Sequence, residues 1–244
     1  MNKISETILS NSCKEKKMLA VLLDPEKCRE KMLVSVLSAF EKNLPDFIFV
    51  GGSNKSCPTD DLFDALHDVP VPKILFPGDA SQFSPEADAL LFLSLISGRN
   101  PDYLIGQHVL SALEIKQSGI ETIPTGYILI DGGNHSAVQR VSQTIPIPAH
   151  SVDECVSTAV AGELLGMKMI YLEAGSGAEN PVSADIIAAV KRNLNIPLLV
   201  GGGIRTTGQL TSALSAGADL IVVGNVFESQ TDKIAEFIHC LKSH

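Results

Sequence analysis

Short runs of apolar residues recur along the chain, and longer segments that we predict to be helical separate most of them. The runs contain four to seven residues, which is typical of strands buried on both faces of a parallel sheet. They lie at 18–23, 46–50, 73–76, 87–93, 126–130, 168–172, 197–200 and 219–223. Eight strands that alternate with helices predict a parallel sheet closed into a (β/α)8 TIM barrel.

The segment between the third and fourth strands departs from this alternation. It has ten residues, including Gly78 and Pro85, whereas a crossover that contains a helix usually needs a dozen or more. We therefore expect the barrel to lack a regular third helix, which would leave a gap in the outer helix layer. Phe76, Phe83 and Phe92 would line this gap, and a long apolar ligand could enter it. An ordinary short loop is the alternative.

Polar residues mark the starts of several predicted helices. Ser151 with Glu154, and Thr206 with Gln209, have the spacing of a capping box at the start of a helix. The segment 136–149 contains two prolines and is predicted to be a long connection at the surface. The other helices are predicted at 3–17, 25–42, 58–68, 101–117, 183–193 and 231–241.

Composition and charge narrow the classes of function. The chain has 244 residues, 45% of them hydrophobic, and no linker or shift in composition, so we predict one domain spanning 1–244. A net charge of −9 without a basic stripe argues against a nucleic-acid partner. No run approaches the roughly 20 apolar residues of a transmembrane segment. Five cysteines without a C-x-x-C pair indicate a reducing compartment and no metal cluster.

Polar residues and glycines that could form an active site follow the carboxyl ends of the predicted strands, where TIM barrels have their active sites. Such barrels usually bind phosphate at the loops after strands seven and eight, here Gly202–Gly203 and Gly224–Asn225. This pattern indicates a phosphorylated ligand but does not identify the reaction. The polar and small residues at the strand ends are Asp24, Ser53, Asp131, Glu173, Asn225 and the glycines at 175, 177, 201–203 and 224.

The stretch 171–178 (YLEAGSGA) places a carboxylate, Glu173, beside glycines that let backbone N–H groups approach an anion. An acid or base beside an anion site suits chemistry on a phosphorylated alcohol; a strand that simply ends in a turn is the alternative. Asp24 either caps the helix that follows it or binds a divalent metal. Arg99, His108 and His135 are candidates for anion contact or proton transfer, although solvated or packed side chains of these types are more common.

Seven motifs occur together in this chain: LDPEK at 23–27, GGS at 51–53, FPG at 76–78, SGRN at 97–100, YLEAGSGA at 171–178, GGGIR at 201–205 and VGN at 223–225. In this order and combination, the chain resembles the geranylgeranylglyceryl phosphate synthase family, including its bacterial members, over nearly its whole length. The segments 23–27 and 171–178 together carry the specificity of the resemblance, because phosphate-binding barrels in general share versions of the last motifs.

The resemblance implies a prenyltransferase that joins a prenyl diphosphate to the 3-hydroxyl of sn-glycerol 1-phosphate, forming an ether and releasing diphosphate. Geranylgeranyl diphosphate is the favoured donor. The resemblance also implies Mg2+ held by Asp24 and the hydroxyl of Ser53, with Glu173 as the catalytic base. The residues implied to hold sn-glycerol 1-phosphate are Tyr171, Leu172, Glu173, Ala174, Gly175, Ser176, Gly177, Gly202, Gly203, Gly224 and Asn225. We expect a cytoplasmic homo-oligomer that contacts the membrane transiently through its lipid product.

One departure from the family pattern narrows the branch. Some bacterial members carry a lysine two positions before the metal-binding aspartate, and this chain has Leu22 there, as expected for the branch with archaeal and Bacteroidetes-type members. Two other functions remain open. A phosphosugar isomerase or lyase would use Glu173 as a base without metal, although no strand end offers a clear lysine for a Schiff base. A non-catalytic protein that binds a phosphorylated ligand is the third possibility.

Overall fold

The computed structural model describes residues 3–52 and 58–244, and its eight parallel strands close into one barrel in sequence order. The strands β1 to β8 span Met18–Leu23, Phe47–Val50, Lys73–Leu75, Ala89–Leu95, Glu121–Leu129, Met169–Glu173, Leu198–Gly201 and Leu220–Val223. The first strand pairs with the last, with Met18 beside Leu220, and this pairing closes the sheet. The predicted TIM barrel is therefore confirmed.

The described residues form ten α-helices, most of which pack outside the barrel. The helices α1 to α10 span Ile4–Cys13, Glu30–Lys42, Asp60–Ala65, Gln107–Ser118, Ala137–Ser142, Val152–Leu164, Ala184–Arg192, Thr207–Ser215, Asn225–Ser229 and Lys233–Lys242. A five-residue π-helix, Asp102–Gly106, leads into α4. Between β3 and β4, where every residue is described, a single 3-10 turn at Ala80–Gln82 replaces the crossover helix. The prediction that no regular helix follows the third strand is confirmed.

The turn after β1 differs from the prediction. Helix α2 begins at Glu30 rather than at residue 25, so the predicted start of this helix is wrong and the alternative that Asp24 caps it is excluded. Residues 24–28 instead fold into a tight turn around Asp24. Its side chain accepts the N–H of Glu26 at 2.9 Å, and its carbonyl oxygen accepts the N–H of Cys28 at 2.7 Å. The carboxylate therefore stays at the strand end instead of being engaged by a helix.

The sequence predicts a long connection at the surface for the segment 136–149, and this prediction is wrong in part. It contains α5, which begins where the Ser136 hydroxyl accepts the N–H of Gln139 at 3.2 Å. Ser142 and Ile147 are buried, and Ile147 pairs with Ile130 at the end of β5. Two further boundaries shift outward: β4 continues to Leu95, and β5 begins already at Glu121.

Aromatic rings fill the barrel interior below the strand ends. Phe76 lies 5.5 Å from Tyr171 and 6.2 Å from Phe49, and Tyr127 lies 5.3 Å from Tyr171, measured between ring centroids. Phe49 and the two tyrosines are nearly inaccessible to solvent, so these rings form a solid floor. Along β6, side chains alternate: Tyr171 points into the barrel, while Leu172 packs between the sheet and the helices.

Helix α1 covers the N-terminal end of the barrel. Ile8 is fully buried among the interior residues, and the Glu121 carboxylate accepts the N–H groups of Ile4 and Ser5 at 2.7 and 2.9 Å. The carboxyl ends of the strands therefore remain the open side of the barrel. No helix within the described residues combines the length and the apolar character that a membrane span requires.

The two predicted capping boxes allow a matched test. At α8, Thr206 accepts the N–H of Gln209 and the Gln209 side chain accepts the N–H of Thr206, whereas Ser151 at α6 makes no such side-chain bond. Thr206→Ala should therefore lower the free energy of unfolding by about 1 kcal/mol. Ser151→Ala should lower it by much less. Urea denaturation of both variants measures the difference, and equal losses would contradict this assignment of the caps.

Candidate functional site

One cavity joins the open end of the barrel to the gap between β3 and β4. Its polar end contains Asp24 and Glu173 together with the glycine-rich loops after β6, β7 and β8. Its other end is apolar, and there Phe76, Phe83 and Phe92 lie along the place that a third helix would otherwise cover. The predicted gap and its three aromatic residues are thus part of the site.

Glu173 is the last residue of β6 and is only 7% exposed. Its Oε1 accepts the N–H of Gly175 at 2.7 Å, and its carboxylate also accepts a hydrogen bond from the Tyr171 hydroxyl. Burial raises the pKa of the Glu173 carboxyl above its ordinary value, and these two hydrogen bonds oppose the rise. A carboxylate with a raised pKa at the edge of a cavity is suited to accept a proton.

Glycines beside Glu173 are required by its position. A Cβ at Gly201 would collide with the Tyr171 hydroxyl and lie 3.0 Å from Glu173 Oε2, and one at Gly202 would collide with Glu173 Oε1. Gly202 and Gly175 also have φ values of +80° and +102°, which side chains rarely adopt. The glycines seen in the sequence therefore make room for the carboxylate as well as for a ligand.

Arg205 holds the loop after β6 in place. Its Nη2 donates to the carbonyl oxygens of Ala178 at 2.5 Å and Gly177 at 3.3 Å, and its Nη1 donates to that of Glu179 at 3.3 Å. The Ser176 hydroxyl donates to Asn225 Oδ1 at 3.2 Å, which links this loop to the end of β8. The loops after β6, β7 and β8 therefore form one assembly.

The structure brings most of the sequence-predicted ligand residues together. The ones that line the cavity are Tyr171, Glu173, Ser176, Gly177, Gly202, Gly203, Gly224 and Asn225. Three others, Leu172, Ala174 and Gly175, do not line it. Leu172 is fully buried in the outer core, and the N–H groups of Ala174 and Gly175 donate to Gly201 and Glu173. These three residues support the loop from behind.

Asp24 lines the cavity at the end of β1, and its carboxylate lies directly over Gly52, where a Cβ would be 2.7 Å from Oδ1. The other predicted metal ligand, Ser53, lies outside the described residues. Within residues 3–52 and 58–244, no group of three or more His, Cys, Asp or Glu side chains is placed to hold a metal. A single carboxylate fits Mg2+, which keeps several waters and often takes its other ligands from substrate phosphates.

The remaining candidates differ in their positions. His108 lines the apolar part of the cavity, where its Nε2 lies 3.2 Å from the Ser94 hydroxyl, and burial lowers its pKa, which favours the neutral imidazole. Arg99 donates to three carbonyl oxygens of its own loop, at 2.8 to 3.4 Å. Neither His135 nor Asp131 lines the cavity. His135 is exposed, and the Asp131 side chain accepts the N–H of Gly133.

Sequence reasoning missed an ion pair at the cavity mouth. Lys27 and Glu228 both line the cavity, and Lys27 Nζ lies 2.9 Å from Glu228 Oε1. Lys27 belongs to the LDPEK segment and was therefore visible as part of a motif. Glu228 lies on α9, a five-residue helix that was not predicted. Its short length gives too little periodicity for detection.

The fold and the site together define a TIM-barrel protein whose cavity has a glycine-lined polar end with a buried carboxylate and an apolar arm. Comparison with known proteins identifies the family of the chain. The chain belongs to the PcrB family, whose model matches residues 11–241.

Similar proteins share one name across bacteria and archaea. The geranylgeranylglyceryl phosphate synthase of Zunongwangia profunda is 50% identical over 236 residues, which cover 94% of this chain and 98% of that protein. The protein of the same name from Thermococcus kodakarensis is 40% identical over 226 residues, covering 91% and 89%. The crystal structure of (S)-3-O-geranylgeranylglyceryl phosphate synthase from Thermoplasma acidophilum, in complex with its substrate sn-glycerol-1-phosphate, gives a TM-score of 0.89 at 32% identity and covers 100% of this chain and 98% of that one. The family resemblance expected from the motifs is thus confirmed.

The bonds from Arg205 predict a local effect on the loop after β6. Arg205→Lys keeps the charge, but one ammonium group cannot reach three carbonyl oxygens in the way that a planar guanidinium does. The amides of Ala178 and Glu179 should then exchange with deuterium roughly tenfold faster or more. Hydrogen exchange followed by mass spectrometry measures this. Arg99→Lys is the control, because Arg99 bonds to a different loop. Unchanged exchange in Arg205→Lys would contradict the proposed contact.

Proposed function

We propose that this protein is a Mg2+-dependent prenyltransferase that joins a prenyl diphosphate to the 3-hydroxyl of sn-glycerol 1-phosphate. The observation that carries the proposal is the form of the cavity, which combines a buried carboxylate, a glycine-lined polar end and an apolar arm. A phosphorylated alcohol suits the first end, and a prenyl chain suits the second. The names of the relatives agree with this assignment.

The polar end binds sn-glycerol 1-phosphate. Gly177, Gly202 and Gly203 bring backbone close to the cavity, and each has a positive φ value, from +72° to +80°. Such backbone conformations turn N–H groups toward a bound anion. The similar protein from Thermoplasma acidophilum was solved with sn-glycerol-1-phosphate, which supports this ligand class.

The apolar arm binds the prenyl chain of the donor, for which geranylgeranyl diphosphate is the favoured candidate. Phe83, Leu90, Phe92 and Ile115 line this arm together with Phe76. Each buried CH2 group contributes roughly 0.8 kcal/mol, so a chain of about 20 carbons can bind tightly without polar contacts. This arm distinguishes the protein from a phosphosugar isomerase or lyase, whose ligand has no apolar tail.

Asp24, together with Ser53, is proposed to hold Mg2+. A metal bound by them would neutralise the negative charge that develops on the departing diphosphate. Asp24 is well placed for this role, because the turn at 24–28 leaves its carboxylate at the cavity wall, over Gly52.

Glu173 is proposed to act as the general base. The bond between the allylic carbon and the diphosphate oxygen breaks, and its electron pair leaves with the diphosphate. The 3-hydroxyl oxygen forms the new C–O bond, and its proton passes to the Glu173 carboxylate. Tyr171 and the N–H of Gly175 hold this carboxylate in one orientation. Fixing both substrates in register supplies a further part of the rate acceleration.

A homo-oligomer is part of the proposal. Val109, Leu110 and Leu113 lie within one stretch of α4 and are each at least 68% exposed. Apolar side chains exposed together usually mark an interaction surface. A second copy of the chain is the proposed partner.

The protein is proposed to act in the cytoplasm, with transient membrane contact through its lipid product.

A product assay tests the reaction. The protein is incubated with sn-glycerol 1-phosphate, Mg2+ and a series of prenyl diphosphates of increasing chain length, and products are identified by mass. A prenylglyceryl phosphate should appear, with the largest yield from the geranylgeranyl donor, and EDTA should abolish it. Folded protein that forms no ether from any donor would refute the proposed function. Turnover that persists after chelation would refute the metal requirement.

The role of Glu173 predicts both a rate and a pH dependence. Glu173→Gln should lower kcat by roughly 10²- to 10⁴-fold, because the amide cannot accept the proton. In the unmodified enzyme, kcat/KM should rise with pH as Glu173 loses its proton. The midpoint should lie above the ordinary glutamate pKa of about 4.3, because burial raises the pKa of this carboxyl. Glu179→Gln, at an exposed carboxylate in the same loop, is the control. Unchanged turnover in Glu173→Gln would exclude it as the base.

A further inference from the structure

The ion pair at the cavity mouth bridges two strand ends. Lys27 follows Asp24 by three residues in the turn after β1, and Glu228 lies on α9, which begins at Asn225 after β8. Lys27 Nζ donates to both carboxylate oxygens of Glu228, at 2.9 and 3.0 Å. Because both side chains line the cavity, the ammonium group lies beside the site where a phosphorylated ligand would enter.

The cavity has an excess of acidic side chains. Among the described residues that line it, the cationic side chains are Lys27 and Arg205, against the carboxylates of Asp24, Asp79, Glu173 and Glu228. The Arg205 guanidinium is occupied by backbone carbonyl oxygens of the loop after β6. Of these two cations, Lys27 is the one whose ammonium group bonds to a side chain, Glu228, rather than to the backbone. An anionic ligand would compete with Glu228 for it.

Because both side chains are partly exposed to solvent, separating Lys27 from Glu228 should cost little free energy. The side chains of Lys27 and Glu228 are 41% and 23% exposed. Ion pairs in such surroundings contribute little to stability, so an incoming anion can replace Glu228 at small cost. The position two residues before Asp24 offers no alternative cation, since Leu22 packs there against Gly224.

We propose that Lys27 leaves Glu228 and binds a phosphoryl oxygen of a substrate, and that Glu228 holds the ammonium group at the mouth while no substrate is bound. The ligand chemistry is a phosphate anion, which both the glycerol phosphate and the prenyl diphosphate carry. This inference rests on the proposed function, which supplies both substrates. It adds a binding residue and a counter-ion to the site.

Kinetics of two variants test the exchange. Lys27→Met removes the charge but keeps the length of the side chain, and it should raise KM for one of the two substrates roughly ten- to hundredfold. The kcat value should change little if Lys27 binds the glycerol phosphate, whose charge is the same in the ground and transition states, and should also fall if Lys27 binds the diphosphate, on which negative charge develops. The substrate whose KM rises identifies the phosphate that Lys27 binds. Glu228→Gln removes the competing carboxylate and should lower the same KM a few-fold.

Two kinetic results would overturn the proposal. Unchanged KM values for both substrates in Lys27→Met would show that Lys27 binds neither. A rise in KM in Glu228→Gln equal to that in Lys27→Met would show that the pair is a structural link between the loops. Lys16→Met is the matched control, because Lys16 pairs with Asp46 beyond the start of β1, at the opposite end of the barrel.

Anion binding tests Lys27 without relying on catalysis. Inorganic phosphate and pyrophosphate are titrated calorimetrically into the unmodified protein and into the Lys27→Met and Lys27→Arg variants. Lys27→Met should bind at least one anion roughly tenfold more weakly or worse, and Lys27→Arg should retain the affinity. Equal affinities in the unmodified protein and Lys27→Met, or no binding to either, would refute the proposal. An absence of ether product from the unmodified protein would refute the proposed function, while these titrations would still judge Lys27.

Discussion

A buried carboxylate at the end of β6 is the constraint on which the rest of the site depends. Glu173 is almost inaccessible, and a charge without partners in such a place would be costly. The Tyr171 hydroxyl and the N–H of Gly175 supply its partners. Their positions in turn require that no side chain project from Gly201 or Gly202. One acidic group thus determines the residue types of two neighbouring strand ends.

The same constraint explains why the loop after β6 is tied down so firmly. The N–H of Gly175 can hold the Glu173 carboxylate only if the loop has a fixed conformation. Arg205 provides this through its bonds to consecutive carbonyl oxygens, and Ser176 ties the loop to Asn225. Because these contacts are made within the protein, the polar end of the cavity is formed before a ligand arrives, which reduces the ordering that binding would otherwise require.

The sequence predicted the barrel and most of the cavity because their signals are local. Buried strands appear as apolar runs, and residues at strand ends in a TIM barrel must converge. Other features depend on contacts that the sequence does not reveal. Ser151 and Thr206 stand in equivalent capping patterns, yet only Thr206 closes its box. Asp24 precedes a proline as a helix cap would, but the chain turns around it first. The partner of Lys27 lies 201 residues further along the chain, beyond the reach of any local pattern.

A crossover helix is missing between β3 and β4, and its absence determines the direction in which the cavity extends. In a TIM barrel the outer helices normally seal the sides, so ligands enter from the top alone. Here the 3-10 turn at 80–82 leaves the wall between β3 and β4 to Phe76, Phe83 and Phe92, and the cavity extends sideways along them. A ligand with one charged and one apolar end can then lie across the barrel in only one sense. For the proposed prenyl diphosphate, the tail would follow the aromatic wall and the diphosphate would lie at the polar end, where Asp24 is proposed to hold Mg2+. Glu173 lines the same polar end, so this orientation would bring the reacting carbon to the side of the cavity that contains the proposed base.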